Sequence, residues 1–127
     1  MTGVTKSQSQ VPLTPAVFQI MLALSDQERH GYAIMQEVAA QTGGSLRLGP
    51  GTLYGCLKRM LQANLVEECQ ERPDAAFDDE RRRYYRITNL GRRALRSEAQ
   101  RLDAAVSAAR SKNLLPSMKQ ILTGGRI

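Results

Sequence analysis

The chain has 127 residues, of which 42% are apolar, so it is long enough for one packed core and too short for two independent ones. It carries 18 Lys and Arg residues against 12 Asp and Glu, and this net charge of +6 favours a polyanionic partner over an acidic small molecule. One histidine and two cysteines are too few for the usual four-ligand zinc sites, and no phosphate-cradling or nucleophile motif occurs. The composition therefore argues against an enzyme, and we expect no catalytic residue, metal or cofactor.

The cysteines and the lack of targeting segments bear on the compartment. The sequence has no apolar run long enough to cross a membrane and no charged-then-apolar leader, so we expect a cytoplasmic protein without membrane contact. Cys56 and Cys69 should then be reduced thiols. Cys56 falls on an apolar helical arc and is expected in the core. Cys69 is expected to be partly exposed on a strand, where a redox role is the alternative to a structural one.

The first helix is predicted from its start signal. Residues 1–12 are polar and without periodicity, and we expect them to form a flexible arm. Thr14-Pro15 combines a preferred N-cap residue with Pro at the first helical position, ahead of a helix over Ala16–Leu24. Because this helix is apolar nearly all round, it should be covered on more than one side, as a central helix, a dimer contact or both.

A second and a third helix follow. His30-Gly31-Tyr32 opens the second helix and Gly43-Gly44 ends it. The alternation over Ser45–Leu48 predicts a short strand, and Gly49-Pro50 begins a third helix over Pro50–Ala63. One arc of the third helix is apolar, with Leu53, Cys56, Leu57, Met60 and Leu61. The opposite arc has hydrogen-bonding and cationic groups and no acid, with Gly55, Lys58, Arg59 and Gln62 flanked by Thr52 and Tyr54.

The second half of the chain predicts a hairpin and a long helix. Strands are expected over Leu65–Gln70 and Arg82–Thr88, joined by a turn around Pro73-Asp74. Thr88 then caps a helix over Asn89–Asn113, which is longer than a domain of this size needs, and residues 114–127 form a tail. The apolar positions of this helix are spaced alternately by four and three residues, which makes a short heptad seam of Leu95, Ala99, Leu102, Val106 and Ala109. This seam predicts packing between subunits.

Charge is distributed unevenly along the hairpin. Seven of the twelve acids lie between Glu67 and Glu80, where only Arg72 opposes them, and the return strand carries Arg81–Arg83 and Arg86. Two interpretations of these arginines stay open. They pair with acids across the hairpin, as cross-strand neighbours often do, or they form a wing that grips phosphates.

The order of the elements predicts the fold class. Two helices, a short strand, a third helix and a hairpin make a mainly α domain with a small β-hairpin, a winged helix-turn-helix over residues 13–88. The C-terminal helix over 89–113 is expected to serve dimerisation. In this architecture the third helix enters the major groove of double-stranded DNA, and the hairpin lies along the backbone or minor groove. A winged helix that binds an acidic protein through its basic hairpin is the alternative function.

Four short blocks stand out between about Leu13 and Asn113, namely Leu13-Thr14-Pro15, His30–Ile34, Gly51–Tyr54 and Tyr84–Thr88 with Gly91. In this order they resemble the PadR family of bacterial transcriptional regulators, and the short last helix resembles the small subfamily without a larger C-terminal ligand domain. Asn64 stands where the family usually has Gly, and Asn also tolerates the left-handed conformation at a helix end. The resemblance implies a homodimer that binds a palindromic operator and represses a nearby promoter.

The resemblance also assigns roles to residues. It implies DNA contacts from the third helix and the wing, at Thr52, Tyr54, Gly55, Lys58, Arg59, Arg81, Arg82 and Arg83. It implies a dimer interface between first and last helices, which we assign to Phe18, Met21, Leu95, Leu102 and Val106. Tyr54 has a second interpretation as a core residue with its hydroxyl tied to the backbone. The chain has no Trp, so the family's binding of flat drugs between tryptophans has no counterpart here, and a small-molecule effector in a dimer cavity is a hypothesis beside a filled core.

Overall fold

The computed structural model describes residues 13–69 and 83–117, and in these ranges it has four helices and three strands. In chain order they are α1 (Pro15–Leu24), β1 (Arg29–His30), α2 (Gly31–Gln41), α3 (Pro50–Gln62), β2 (Val66–Cys69), β3 (Tyr84–Ile87) and α4 (Asn89–Ser111). The predicted class, mainly α with a small hairpin, is confirmed. The predicted arm over 1–12, the hairpin tip over 70–82 and the tail from 118 lie outside the described residues.

Local hydrogen bonds explain where three of the helices begin. The side chains of Thr14, His30 and Thr88 each accept the backbone N–H of the third residue beyond them, at 3.2, 3.2 and 2.9 Å. Each bond satisfies one of the donors that a helix leaves free in its first turn. The start signals at Thr14 and Thr88 were readable from the sequence, and both are confirmed.

The sheet differs from the prediction in its third strand. Its order is β1-β3-β2 with antiparallel pairing throughout. The strand predicted over Ser45–Leu48 is wrong, because this segment bonds to the end of α2 instead of to a strand, with the Leu46 N–H donating to Thr42 Oγ1 at 3.1 Å. Leu46 and Leu48 alternate because both turn into the core. The edge strand is formed instead by the two residues of β1.

The core is built around α1, whose residues Ile20, Met21, Ala23 and Leu24 are buried. This helix contacts α2, α3, α4 and β3, so the prediction that it is covered on several sides is confirmed. The inner face of the sheet closes the core from one side, and Tyr85 is buried in it while Tyr84 stays half-exposed on the outer face. The other core residues are Ile34, Val38, Leu48, Leu53, Cys56, Leu57, Met60, Val66, Ile87 and Leu95.

A tight joint connects the end of α3, the hairpin and the start of α4. Asn64 has a φ of 63°, the left-handed conformation expected of it. Thr88 Oγ1 donates to the carbonyl oxygen of Asn64 at 2.7 Å, and the Thr88 N–H donates to that of Leu65 at 3.1 Å. A Cβ at Gly91 would overlap the carbonyl oxygen of Leu65 and lie 2.9 Å from Ile87 Cγ1. Only glycine therefore lets α4 begin this close to the hairpin.

Candidate nucleic-acid interface

The outward face of α3 is polar and accessible. Thr52, Lys58 and Arg59 are exposed, and Gly55 lies half-exposed between them. The opposite face anchors the helix in the core through Leu53, Cys56, Leu57 and Met60. This division confirms the two predicted arcs. The core contacts fix the orientation of α3, so its outward side chains are held on a rigid element.

The electrostatics of this face favour an anion. The sequence has no Asp or Glu between Glu37 and Glu67, a stretch that includes the whole of α3 and carries Arg47, Lys58 and Arg59. The Arg59 Nη2 atom lies 3.6 Å from Cys56 Sγ, so its guanidinium lies along the helix, and no carboxylate of the described residues pairs with it. An exposed positive surface without nearby acids attracts phosphate groups.

Two glycines on α3 make no close packing contact with other residues that the structure describes. A Cβ at Gly51 would meet nothing within 4 Å, and one at Gly55 would meet only Arg59 Nη1 at 3.8 Å. A glycine inside a helix costs about 1 kcal/mol of stability relative to alanine. At Gly55 no contact within the described residues offsets this cost.

Tyr54, which the resemblance assigns to a DNA contact, has a packing role within the protein. Its ring is half-buried against the core, and a Cβ at Gly31 would overlap its hydroxyl and lie 2.8 Å from Cζ. The alternative interpretation, a packing role, is therefore the better description of its ring. No hydrogen bond ties the hydroxyl to the backbone among the described residues. Tyr54 and Gly31 instead set how closely α2 and α3 approach, which explains why the His-Gly-Tyr and Gly-Thr-Leu-Tyr blocks occur together.

The arginines of the hairpin are paired with acids where the structure describes them. Arg83 Nη1 lies 3.0 Å from Glu68 Oε2, and Arg86 Nε donates to Glu67 Oε2 at 2.8 Å. The hydrogen bond and the charge of Glu67 raise the pKa of Arg86. The cross-hairpin pairing is thus confirmed for Arg83, whereas Arg81 and Arg82 lie outside the described residues. Exposed pairs of this kind contribute only about 0–1 kcal/mol, so a phosphate can replace the acid.

Two of the five residues assigned to a dimer interface are internal. Met21 has no exposed surface and Leu95 is only 7% exposed, because both fill the core of the protomer. Their assignment to the interface is corrected on this ground. Phe18 is half-buried, while Leu102 and Val106 are 38% and 41% exposed. Leu22 on α1, which the sequence did not single out, is also exposed.

The part of α4 beyond Glu98 leaves the core. Residues 99–108 are all exposed, yet they carry three of the five positions of the predicted seam, Ala99, Leu102 and Val106. Glu98 itself is 7% exposed and pairs with Arg101, whose Nε lies 3.0 Å from Glu98 Oε1. This hydrogen-bonded guanidinium, together with a hydrogen bond from the backbone of Leu13, lowers the pKa of Glu98. Glu98 is therefore a buried acid held by Arg101 on the next turn of α4, a role with no signal in the sequence.

The thiols and acids form no further site in the part of the chain that the structure describes. Cys69 is buried, contrary to the expectation of partial exposure, and it lies opposite Tyr84 in the sheet. Cys56 is buried as predicted. No group of three or more potential metal ligands occurs in residues 13–69 and 83–117. None of the helices in these ranges is long and apolar enough to cross a membrane.

Comparison of solved structures places the fold among transcriptional regulators. A PadR family transcription regulator from Clostridium difficile is 25% identical, with a TM-score of 0.62, over 75% of this chain and 94% of that one. A PadR-like transcriptional regulator from Bacillus cereus is 22% identical, with a TM-score of 0.60, over 80% and 92% of the two chains. RosR from Halobacterium salinarum, 23% identical with a TM-score of 0.57, covers 81% of this chain and 96% of its own.

Sequence comparison agrees with the structures. An uncharacterized protein of Lysinibacillus sphaericus is 32% identical over 73 residues, which are 58% of this chain and 64% of that protein. An uncharacterized protein in transposon TN4556 of Streptomyces fradiae is 38% identical over 80 residues, but these are only 21% of its length. The sequence model of the transcriptional regulator PadR-like family matches residues 20–97, more than half of the chain. This chain therefore belongs to the PadR-like family of transcriptional regulators.

Proposed function

We propose that the protein is a sequence-specific DNA-binding regulator that represses transcription as a homodimer on a palindromic operator. The observation that carries this proposal is the outward face of α3. This face is accessible and carries no acid, and its two glycines, Gly51 and Gly55, make no close packing contact with other described residues. A helix with this surface on a winged-helix domain fits the major groove of B-DNA. This function is consistent with the expected cytoplasmic location, where a bacterial chromosome lies.

The groups on α3 divide into two kinds of contact. Lys58 and Arg59 can donate to guanine O6 and N7, the commonest specific contact in the major groove, and Thr52 can donate to or accept from a base edge. Gly51 and Gly55 bring the helix backbone close to the bases. We therefore assign sequence recognition to α3, with Tyr54 holding the helix in place.

The wing contributes affinity in this proposal. Arg81, Arg82 and Arg83 carry three adjacent positive charges toward the phosphate backbone, which holds no sequence information of its own. Arg83 exchanges Glu68 for a phosphate, because both partners of the exposed pair remain in contact with solvent. The acids of the hairpin then reduce non-specific attraction to DNA before the wing reaches the backbone.

The proposed dimer forms through α1 and the free half of α4. Leu102 and Val106 expose apolar surface on a helix segment that no other described residue covers, and Phe18 and Leu22 on α1 add to it. Burying such a stripe against a second copy is favourable at about 25 cal/mol per Å² of apolar area. A two-fold dimer presents two α3 helices to half-sites about 34 Å apart, which is why the operator should be palindromic.

Fluorescence anisotropy tests the proposal. The protein is titrated against the duplex upstream of its own gene and against a scrambled duplex, each at two salt concentrations. The proposal predicts tight binding that prefers the native duplex and weakens with salt. Equal affinity for the two duplexes would contradict sequence recognition at this operator. Absence of binding even at low salt would contradict the DNA function and favour the acidic protein partner.

A further inference from the structure

The structure describes four tyrosines, and among these Tyr32 is the one that is exposed. Its side chain is 61% accessible at the start of α2, whereas Tyr85 is buried and Tyr54 and Tyr84 are half-buried. No hydrogen bond or ring contact within the described part of the protein engages it. Its ring therefore contributes little to the core, and its hydroxyl is free to bind an external group.

The neighbours of α2 show which way Tyr32 faces. Gly31, the preceding residue, contacts the Tyr54 ring of α3, so Tyr32 lies beside the junction of the two helices. The other side of α2 is occupied by α1 and β1. There Glu37 lies 3.7 Å from Arg29, and Gln41 donates to Gln19 Oε1 at 2.9 Å.

Angular positions on the helix separate these two sides. At about 100° per residue, Glu37 and Gln41 lie roughly opposite Tyr32, whereas Gln36 lies next to it and is also exposed. Tyr32 and Gln36 thus form the outer edge of α2, on the side away from α1 and β1. Gly31, one residue before Tyr32, lies against Tyr54, so this edge begins next to α3.

The chemistry of this edge suits a phosphate. Glu37 is the one acid of α2, and it is turned away and paired with Arg29, so the edge formed by Tyr32 and Gln36 carries neutral donors without a carboxylate. In helix-turn-helix proteins the helix before the recognition helix crosses the DNA backbone. Tyrosine hydroxyls are among the side-chain groups that donate to phosphate oxygens.

We propose that the Tyr32 hydroxyl donates a hydrogen bond to a phosphate oxygen of the duplex that α3 reads. This inference rests on the proposed function and adds a contact outside α3 and the wing. Because phosphates carry no base information, the contact strengthens binding to every duplex equally. Because the phenol is uncharged, it neutralises no phosphate, and the salt dependence of binding is the same without it.

The experiment uses Tyr32→Phe, which removes only the hydroxyl. Affinities of the full chain and the variant are measured by anisotropy for the upstream and the scrambled duplex, each at two salt concentrations. We expect a loss of about tenfold for both duplexes, with unchanged salt slopes, since hydrogen bonds to charged groups are stronger than neutral ones. Leu90→Ala, at an exposed position at the start of α4, is the control and should bind as the parent does.

The outcomes separate this inference from the function on which it rests. If the parent chain binds the upstream duplex selectively and Tyr32→Phe binds each duplex as tightly as the parent does, the phosphate contact is refuted and the function stands. A loss confined to the upstream duplex, or a changed salt slope, would also refute it, because either indicates a different kind of contact. If the parent chain binds no duplex at all, the proposed function is refuted together with the inference. Equal thermal unfolding of the parent and variant shows that the loss is not one of folding.

Discussion

Replacing Gly55 by alanine should separate stability from DNA binding. Gly55 lies in the interior of α3, and the added Cβ would meet only Arg59 Nη1, at 3.8 Å. The substitution therefore introduces no clash within the protein and removes the conformational cost of a helical glycine. We expect the free energy of unfolding to increase by about 0.5–1 kcal/mol. For a chain of this size the Tm should rise by about 3 °C.

The same methyl group should weaken binding to the operator. It projects from the face of α3 that we assign to the major groove, where the close fit leaves no space for it. Overpacking of a tight contact costs about 1–3 kcal/mol, which is a loss of roughly five- to 150-fold in affinity. Thermal unfolding followed by circular dichroism and anisotropy titration of the operator measure both effects in one preparation. A variant that is more stable and binds the operator as tightly as the parent would refute the assignment of this face.

Three further changes test other parts of the account. Gly91→Ala should destabilise the fold by about 3 kcal/mol in chemical denaturation, since its Cβ overlaps a backbone oxygen that cannot move aside; an unchanged midpoint would contradict the tight joint. Glu98→Gln should be less stable than the parent near neutral pH. This difference should vanish as the pH falls through the lowered pKa of Glu98, because protonation of the parent removes the same ionic interaction with Arg101. A difference that persists in acid would exclude the carboxylate as its source. Replacing Leu102 and Val106 together by Glu should convert a species of twice 14.1 kDa into one of 14.1 kDa in sedimentation velocity; an unchanged sedimentation coefficient would contradict the proposed interface.

Elements with strong local signals could be predicted from the sequence. Thr14 and Thr88 mark helix starts because the side chain that caps each helix acts within three residues. The two arcs of α3 could be predicted because helical periodicity places apolar and polar groups on opposite sides. Asn64 was expected to be left-handed and has a φ of 63°. In each case the determining interaction lies within about one turn of chain.

Features that depend on distant contacts could not be predicted. β1 is two residues long, too short for a period, and it exists only through pairing with β3. The apolar alternation over Ser45–Leu48 results from burial without strand pairing, and a pattern of apolar residues does not distinguish the two. Met21 and Leu95 show the same ambiguity, because an apolar helix position satisfies either a core or a subunit interface. The contact of Gly31 with Tyr54 joins two helices across 23 positions, so no local rule reveals it.

The most direct test of the central claim compares the specificity of variants in α3 and in the wing. For each protein, the ratio of Kd for the scrambled duplex to Kd for the operator is measured at one salt concentration. Lys58→Ala or Arg59→Ala should lower this ratio by a factor that corresponds to about 1–3 kcal/mol of binding free energy, for a side chain that contacts a base edge. Removing the charges of Arg82 and Arg83 together should weaken both duplexes and leave the ratio unchanged. If the α3 variants also weaken both duplexes by the same factor, α3 is not the element that reads the sequence.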